Sequence, residues 1–148
     1  MGRCVGGWQS TPHRERRPVT ASPRALELAR AAANAAAEKL ATDIIVLDVS
    51  EQLVITDCFV VASASSDRQV VAVIDAIESA LRDLDAKPLR REGTKEARWV
   101  LLDYADIVVH VQHVEQRLYY SLERLWKDCP AVSFDGATAD TRAAVGDN

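Results

Sequence analysis

Two runs of strand-forming residues stand three residues apart in this chain. They are Trp99–Asp103 and Ile107–Val111, with Tyr104-Ala105-Asp106 between them. A parallel pairing needs a connection of about a dozen residues or more, so a gap this short forces an antiparallel hairpin. Val108, Val109 and Val111 supply the β-branched side chains that suit a pleated surface. From about Glu115 the period changes. Leu118, Leu122 and Leu125 recur at i, i+4 and i+7, while Glu115, Arg117, Glu123 and Arg124 look outward, which reads as an amphipathic helix. Tyr119 and Trp126 lie beside the leucine stripe. The unit Arg90–Trp126 is therefore β-β-α, and any fold for the chain has to be built around it.

The rest of the chain supplies the remaining layers. Ser22 is a good N-cap and Pro23 suits the first helical turn. The helix they open runs to about Leu40, with Leu26, Ala29, Ala33, Ala36 and Leu40 marking its buried face. DIIVLDV (43–49) and LVITDCFVVASA (53–64) read as strands on either side of a turn at Ser50-Glu51-Gln52. Both are almost continuously apolar, so both faces should be covered, and their short connection makes them antiparallel. Ser65-Ser66-Asp67 opens a second helix over about 67–84, with Val70, Val73, Ile74, Ile77, Leu81 and Leu84 at helical spacing. A short strand near Lys87–Arg91 and a turn at Glu92-Gly93-Thr94 lead into the hairpin. Cys129-Pro130 stops the last helix. The order α-β-β-α-β-β-β-α gives an α/β (α+β) domain with a mixed sheet of about five strands and packed helices. It spans 23–128, with a basic tail at 1–22, expected to be disordered, and a loose tail at 129–148.

A chain of 148 residues suits one domain with a substantial core. No apolar run approaches the ~20 residues that span a bilayer, and no apolar segment follows the early arginines as a secretory signal would require. Cys4, Cys58 and Cys129 are odd in number and widely spread, which argues for a reducing compartment, with cytoplasm as the default. The net charge of -4 is unevenly placed: residues 1–24 carry five arginines and one acid (+4), leaving 13 bases against 21 acids (-8). An acidic body is a poor general nucleic-acid binder and suits a basic protein partner, although the same charge also serves solubility. HRERR at 13–17 is a candidate RNA contact, but such a run is more often just solvated. The break in composition also fits a start of the native chain nearer Val19.

Catalytic constellations are sparse. His110 and His113 lie three apart on a strand and point to opposite faces, and neither Cys58 nor Cys129 has a ligand-like spacing, so no metal site is expected. Asp57, Asp103 and Asp106 can converge at turns, where carboxylates usually form turns and carry solvated charge. The serious enzymatic alternative is a nucleotide site at SASSDRQV (63–70), a strand-to-helix turn whose free N–H groups favour a phosphate. It lacks a glycine, and its acids Asp75 and Glu78 sit on a helix. Ser66 and Asp67 read better as caps.

Two separated blocks carry a resemblance. ITDCFVVASASSDRQV (55–70) resembles the first signature of the Iojap-like ribosomal silencing factors. The second block resembles them more closely: Glu92-Gly93, Trp99, Asp103, Asp106, the IVVHV run with His110, and Arg117-x-x-Tyr120-x-Leu122-Glu123-x-Leu125-Trp126. The likeness covers roughly 24–128. It departs at Tyr104-Ala105, where many relatives carry Leu-Gly, and the 1–22 tail has no counterpart. The resemblance implies a nucleotidyltransferase-like topology without catalytic residues, and no cofactor. It implies binding to ribosomal protein number fourteen of the large subunit at the intersubunit face, a block on subunit joining, and lowered translation when nutrients run short. A homodimer is implied for the free protein. The aromatic and arginine content of the β-β-α unit matches the make-up of interface cores. Trp99, Leu101, Asp103, Tyr104, Asp106, Arg117 and Tyr120 are its candidate contact residues, with Tyr104 expected to stand exposed at the turn and Trp126 expected in the core.

Overall fold

The structure is a computed structural model, and it describes residues 20–120 and 128–134. Helix α1 (Pro23–Glu38) starts as its sequence indicates, with Ser22 Oγ accepting from the Ala25 N–H at 3.1 Å and Pro23 in the first turn. Six of its seven buried residues are alanines: Ala25, Ala29, Ala32, Ala33, Ala35 and Ala36, joined by Leu28. The small side chains let the helix lie close against its neighbours. Leu40, expected on that buried face, is instead 78% exposed. The helix ends in a paired closure, Leu40 N–H to Ala37 O at 3.0 Å and Ala41 N–H to Ala36 O at 3.1 Å, which puts Leu40 at φ 63. Glycine normally fills that left-handed position.

Strands β1 (Thr42–Asp48) and β2 (Cys58–Ala64) pair antiparallel as expected. The second strand starts later than the apolar run suggests. Residues 53–57 belong to the loop: Gln52 and Leu53 fold back on the Val49 carbonyl, Leu53 tucks in, and Val54 and Ile55 project into solvent at 101% and 81% exposure. Hydrophobicity alone could not separate this loop from the strand. Helix α2 (Asp67–Arg82) buries Val70, Val73, Ile74, Ile77 and Leu81, the stripe read from the sequence. Then follow β3 (Arg90–Glu92), β4 (Trp99–Asp103), β5 (Ile107–His113) and α3, described over Val114–Tyr120.

The strands form one mixed sheet in the order β1-β2-β5-β4-β3, in which the β2–β5 pair is parallel and the other pairs antiparallel. Helices α1 and α2 pack on each other and on one face of the sheet. There Val46, Val60, Ala62, Val100, Leu102, Ile107, Val109 and Val111 meet the helices in the main core. Ile45, Leu47, Phe59 and Val61 point the other way into a smaller cluster with Cys129.

Both ends of the described chain are tied to β1. Buried Asp48 accepts from the Thr20 and Ala21 N–H groups at 2.6 and 2.9 Å and from the Ser50 N–H and hydroxyl at 2.9 and 2.6 Å. Burial pushes the Asp48 carboxyl up, but the hydrogen bonds from Ser50, Ala21 and Thr20 outweigh it and hold the group below its ordinary value. Pro130–Val132, expected in the loose tail, runs beside β1. Asp48 N–H donates to Pro130 O at 2.8 Å, Val132 N–H donates to Val46 O at 2.9 Å, and Val132 is buried.

Candidate functional site

The sheet face turned away from α1 and α2 carries most of the candidate residues. Strand alternation puts Trp99, Leu101 and Asp103 on that face of β4, all partly buried, while Val100 and Leu102 enter the core. The register then sets their neighbours. Leu101 lies opposite His110, which lies opposite Val61; Asp103 lies opposite Val108 and Arg90; Trp99 lies opposite Gln112, which lies opposite Ser63.

Across these rows runs a diagonal of three rings. Phe59 on β2 meets His110 on β5 edge-on at 5.3 Å between centroids, and Trp99 on β4 lies 6.2 Å beyond. Trp99 Nε1–H donates to His110 Nδ1 at 3.2 Å. Burial holds the His110 imidazole down to about 4, so it is neutral near pH 7. Among the described residues its Nε2 is buried without a hydrogen-bond partner, as are both ends of the Gln112 carboxamide.

The other candidates divide. Asp103 Oδ1 accepts from the Ala105 N–H at 2.9 Å, and its other oxygen faces Arg90 at 3.8 Å. Asp106 is exposed at the tip, and its carbonyl receives the Asp57 N–H at 3.0 Å, joining the β4–β5 turn to the β1–β2 loop. Tyr104 does not stand exposed. At 6% exposure its ring lies in the helix-side core, where burial first and the charge of Glu78 second push its hydroxyl up to about 12. The turn permits this because Ala105 takes φ 70 and the Tyr104 N–H closes on Ile107 O at 2.9 Å. Arg117 is also turned inward. Only 4% exposed, it donates to Ser63 Oγ at 2.8 Å and to the Asp43 carbonyl at 2.7 Å, fastening α3 to β1 and β2. Tyr120 ends the described part of α3; its side chain, with Leu118, Tyr119, Leu122, Leu125 and Trp126, lies outside the described residues. Trp99, Leu101, Asp103 and Asp106 thus form a stripe running to the tip; Tyr104 lies behind it in the helix-side core, while Arg117 is anchored at Ser63 on the stripe's own face.

Gly93 lies against the start of that stripe. It has φ +80, and a Cβ there would stand 2.1 Å from the Trp99 carbonyl oxygen, so the β3–β4 turn passes directly against the backbone of Trp99. Phe59 and His110 are the members that sequence reasoning left out of the site. Their strand parity, shared with Trp99 once the register is known, is the signal that finds them.

In the 63–70 turn two side chains accept from backbone N–H groups. Ser66 Oγ caps α2 by accepting from the Gln69 N–H at 3.1 Å. The Gln69 carboxamide accepts from the Ser65 N–H and hydroxyl at 2.7 and 2.9 Å and donates to the carbonyls of Lys39 and Leu40 at 3.0 and 3.1 Å. The Gln69 side chain thus takes up the Ser65 donors and ties the turn to the end of α1. Glu78 pairs with Arg91 at 2.9 Å. Cys58 is buried, and desolvation first, then the charges of Asp48 and Asp57, push its thiol up to about 12, far from a reactive thiolate.

The family profile described as "Ribosomal silencing factor during starvation" matches residues 22–147, starting at the cap of α1. The chain belongs to the ribosomal silencing factor family. It is 37% identical over 110 residues to a ribosomal silencing factor RsfS from Halalkalibacterium halodurans, covering 74% of this chain and 94% of the relative. A crystal structure of a Chromobacterium violaceum protein superposes with a TM-score of 0.66 at 32% identity, covering 78% of this chain and 95% of that one. A more distant mouse relative, 30% identical over 89 residues (58% of this chain, 39% of the relative), is named for mitochondrial assembly of the ribosomal large subunit. The resemblance read from the two sequence blocks therefore holds, and so does the mixed five-stranded α+β fold.

Proposed function

We propose that this protein is a non-catalytic, stoichiometric repressor of translation. It binds the large ribosomal subunit at its intersubunit face, through ribosomal protein number fourteen, and keeps the small subunit from joining when nutrients are scarce. Family membership supports the ribosomal setting, and the mouse relative's name points to the large subunit. The observation that carries the reading is the stripe of Trp99, Leu101 and Asp103, partly exposed on one sheet face and ending at exposed Asp106. An aromatic and an aliphatic anchor beside carboxylates suit a basic ribosomal protein: the apolar groups supply affinity and the acids supply steering. The free protein is a cytoplasmic homodimer that covers part of this stripe, since a partly apolar stripe exposed to water is a liability in solution. Co-sedimentation with purified subunits tests the reading. The protein should travel with the large subunit, near one copy each, and not with the small subunit alone; tight binding to the small subunit alone would overturn it.

A further inference from the structure

We propose that His110 is a positioning residue for partner binding: it fixes the Trp99 indole in the orientation in which the tryptophan meets the large subunit. The inference rests on the proposed function and adds a residue that does not itself reach the partner. His110 is buried at 7% exposure in the middle of the sheet, directly opposite Leu101 on one side and Val61 on the other, with the edge of Phe59 against its ring. Those are surroundings in which a leucine would be at home. A buried imidazole whose Nε2 has no hydrogen-bond partner among the described residues weakens the fold, so packing alone does not account for it. Its other nitrogen does have one, the Trp99 indole N–H at 3.2 Å.

The geometry makes the imidazole an effective clamp. Trp99 and His110 are diagonal neighbours across the β4–β5 pair, a spacing that large rings can span. With Nδ1 accepting, the neutral ring carries its proton on Nε2, so Nδ1 keeps a lone pair aimed at the indole. His110 is itself wedged between Phe59 and the strand neighbours and cannot follow a tryptophan that swings away. An indole held at its nitrogen presents one fixed edge to a partner, and less freedom is lost on binding.

The test uses the full-length chain and its purified large subunit. Three tryptophans give three indole N–H resonances, of which the Trp99 signal is identified by its loss in Trp99→Phe. In the wild type that proton should exchange slowly with solvent. In His110→Leu, checked for folding by circular dichroism and melting, it should exchange rapidly, and affinity for the large subunit should fall roughly five- to tenfold, the worth of one hydrogen bond. His110→Asn places its Oδ1 where Nδ1 stood and should restore both readouts. His110→Gln, whose amide reaches toward the Nε2 position, should restore neither. Should His110→Leu fail to fold, the Asn and Gln variants decide between themselves, and equal affinities would overturn the proposal. A folded His110→Leu with wild-type affinity, or with weakened affinity but an unchanged indole proton, would also overturn it. A wild-type chain that does not bind the large subunit overturns the proposed function and this inference together, a result told apart because it involves no variant.

Discussion

The two faces of the sheet are built from different materials. The face under α1 and α2 is packed with alanine, valine, isoleucine and leucine, with Tyr104 as its polar exception, a buried hydroxyl that has no hydrogen-bond partner among the described residues. The opposite face holds His110 and Gln112, whose buried polar atoms lack partners among the described residues, a guanidinium fastened to Ser63, and a diagonal of rings ending in partly exposed Trp99. The first arrangement is what minimises free energy in a small domain. The second gives up some stability, and such departures concentrate where a protein meets something else. The contrast predicts that the faces respond differently to the same kind of injury.

The largest effect should come from the helix side. Ile77→Ala empties a fully buried site and should cost about 3–4 kcal/mol of stability, read by chemical denaturation. Its binding to the large subunit should be unchanged in whatever fraction stays folded. Trp99→Ala should show the reverse balance, with about 1–2 kcal/mol lost from the fold and about 2 kcal/mol or more from binding. Equal ratios of stability loss to binding loss in the two variants would erase the distinction between the faces.

Acid should act on the faces in sequence. The His110 imidazole titrates near 6.5 when unfolded and near 4 when folded, so as pH falls the unfolded chain takes up a proton that the native one refuses. Its contribution is complete above about pH 6.5 and shrinks toward pH 4, by about 3 kcal/mol once below both values. Asp48, with its folded value below the ordinary 3.8, is stabilising above that pH and loses its contribution only as pH falls further. Denaturation midpoints measured from pH 7.5 to 4 should slope downward in the wild type and flatten in His110→Asn. An unchanged slope would mean that His110 is not the group responsible.

The smallest effects should be gains. Leu40 and Ala105 occupy left-handed conformations, at φ 63 and φ 70, that favour glycine. Leu40→Gly and Ala105→Gly should each stabilise by about 0.5–1 kcal/mol, the left-handed penalty less the entropy that glycine adds to the unfolded chain. Ala105→Gly sits at the tip of the proposed contact stripe, so binding that stays level while stability rises would sharpen the separation of folding from recognition.

Much of this was legible in the sequence, for reasons that local chemistry explains. Helical spacing gave α2 and the Ser22 cap gave the start of α1, because both depend on neighbours along the chain. The three-residue gap after Asp103 gave the β4–β5 hairpin. What escaped depended on distant partners. Val54 and Ile55 look like strand but lie in a loop fixed by contacts of Asp57 with Ser22 and Asp106. Tyr104 looks exposed but turns toward α2, because Ala105 takes a conformation that its identity disfavours. Arg117 looks like a surface charge, yet it reaches Ser63, 54 residues earlier. His110 joins the site only through a register that places it diagonally from Trp99.

In the proposed function, one face of this sheet blocks subunit joining by occupying the large subunit. The direct measurement is subunit association followed by light scattering, with the protein added either before or after the subunits are mixed. Added first, it should reduce joined particles in proportion to its amount and saturate near one copy per large subunit. Added to particles already joined, it should do little, and Trp99→Ala should fail in both orders while remaining folded. Inhibition complete at far below one copy per subunit, or equal in either order, would contradict occupancy as the mechanism.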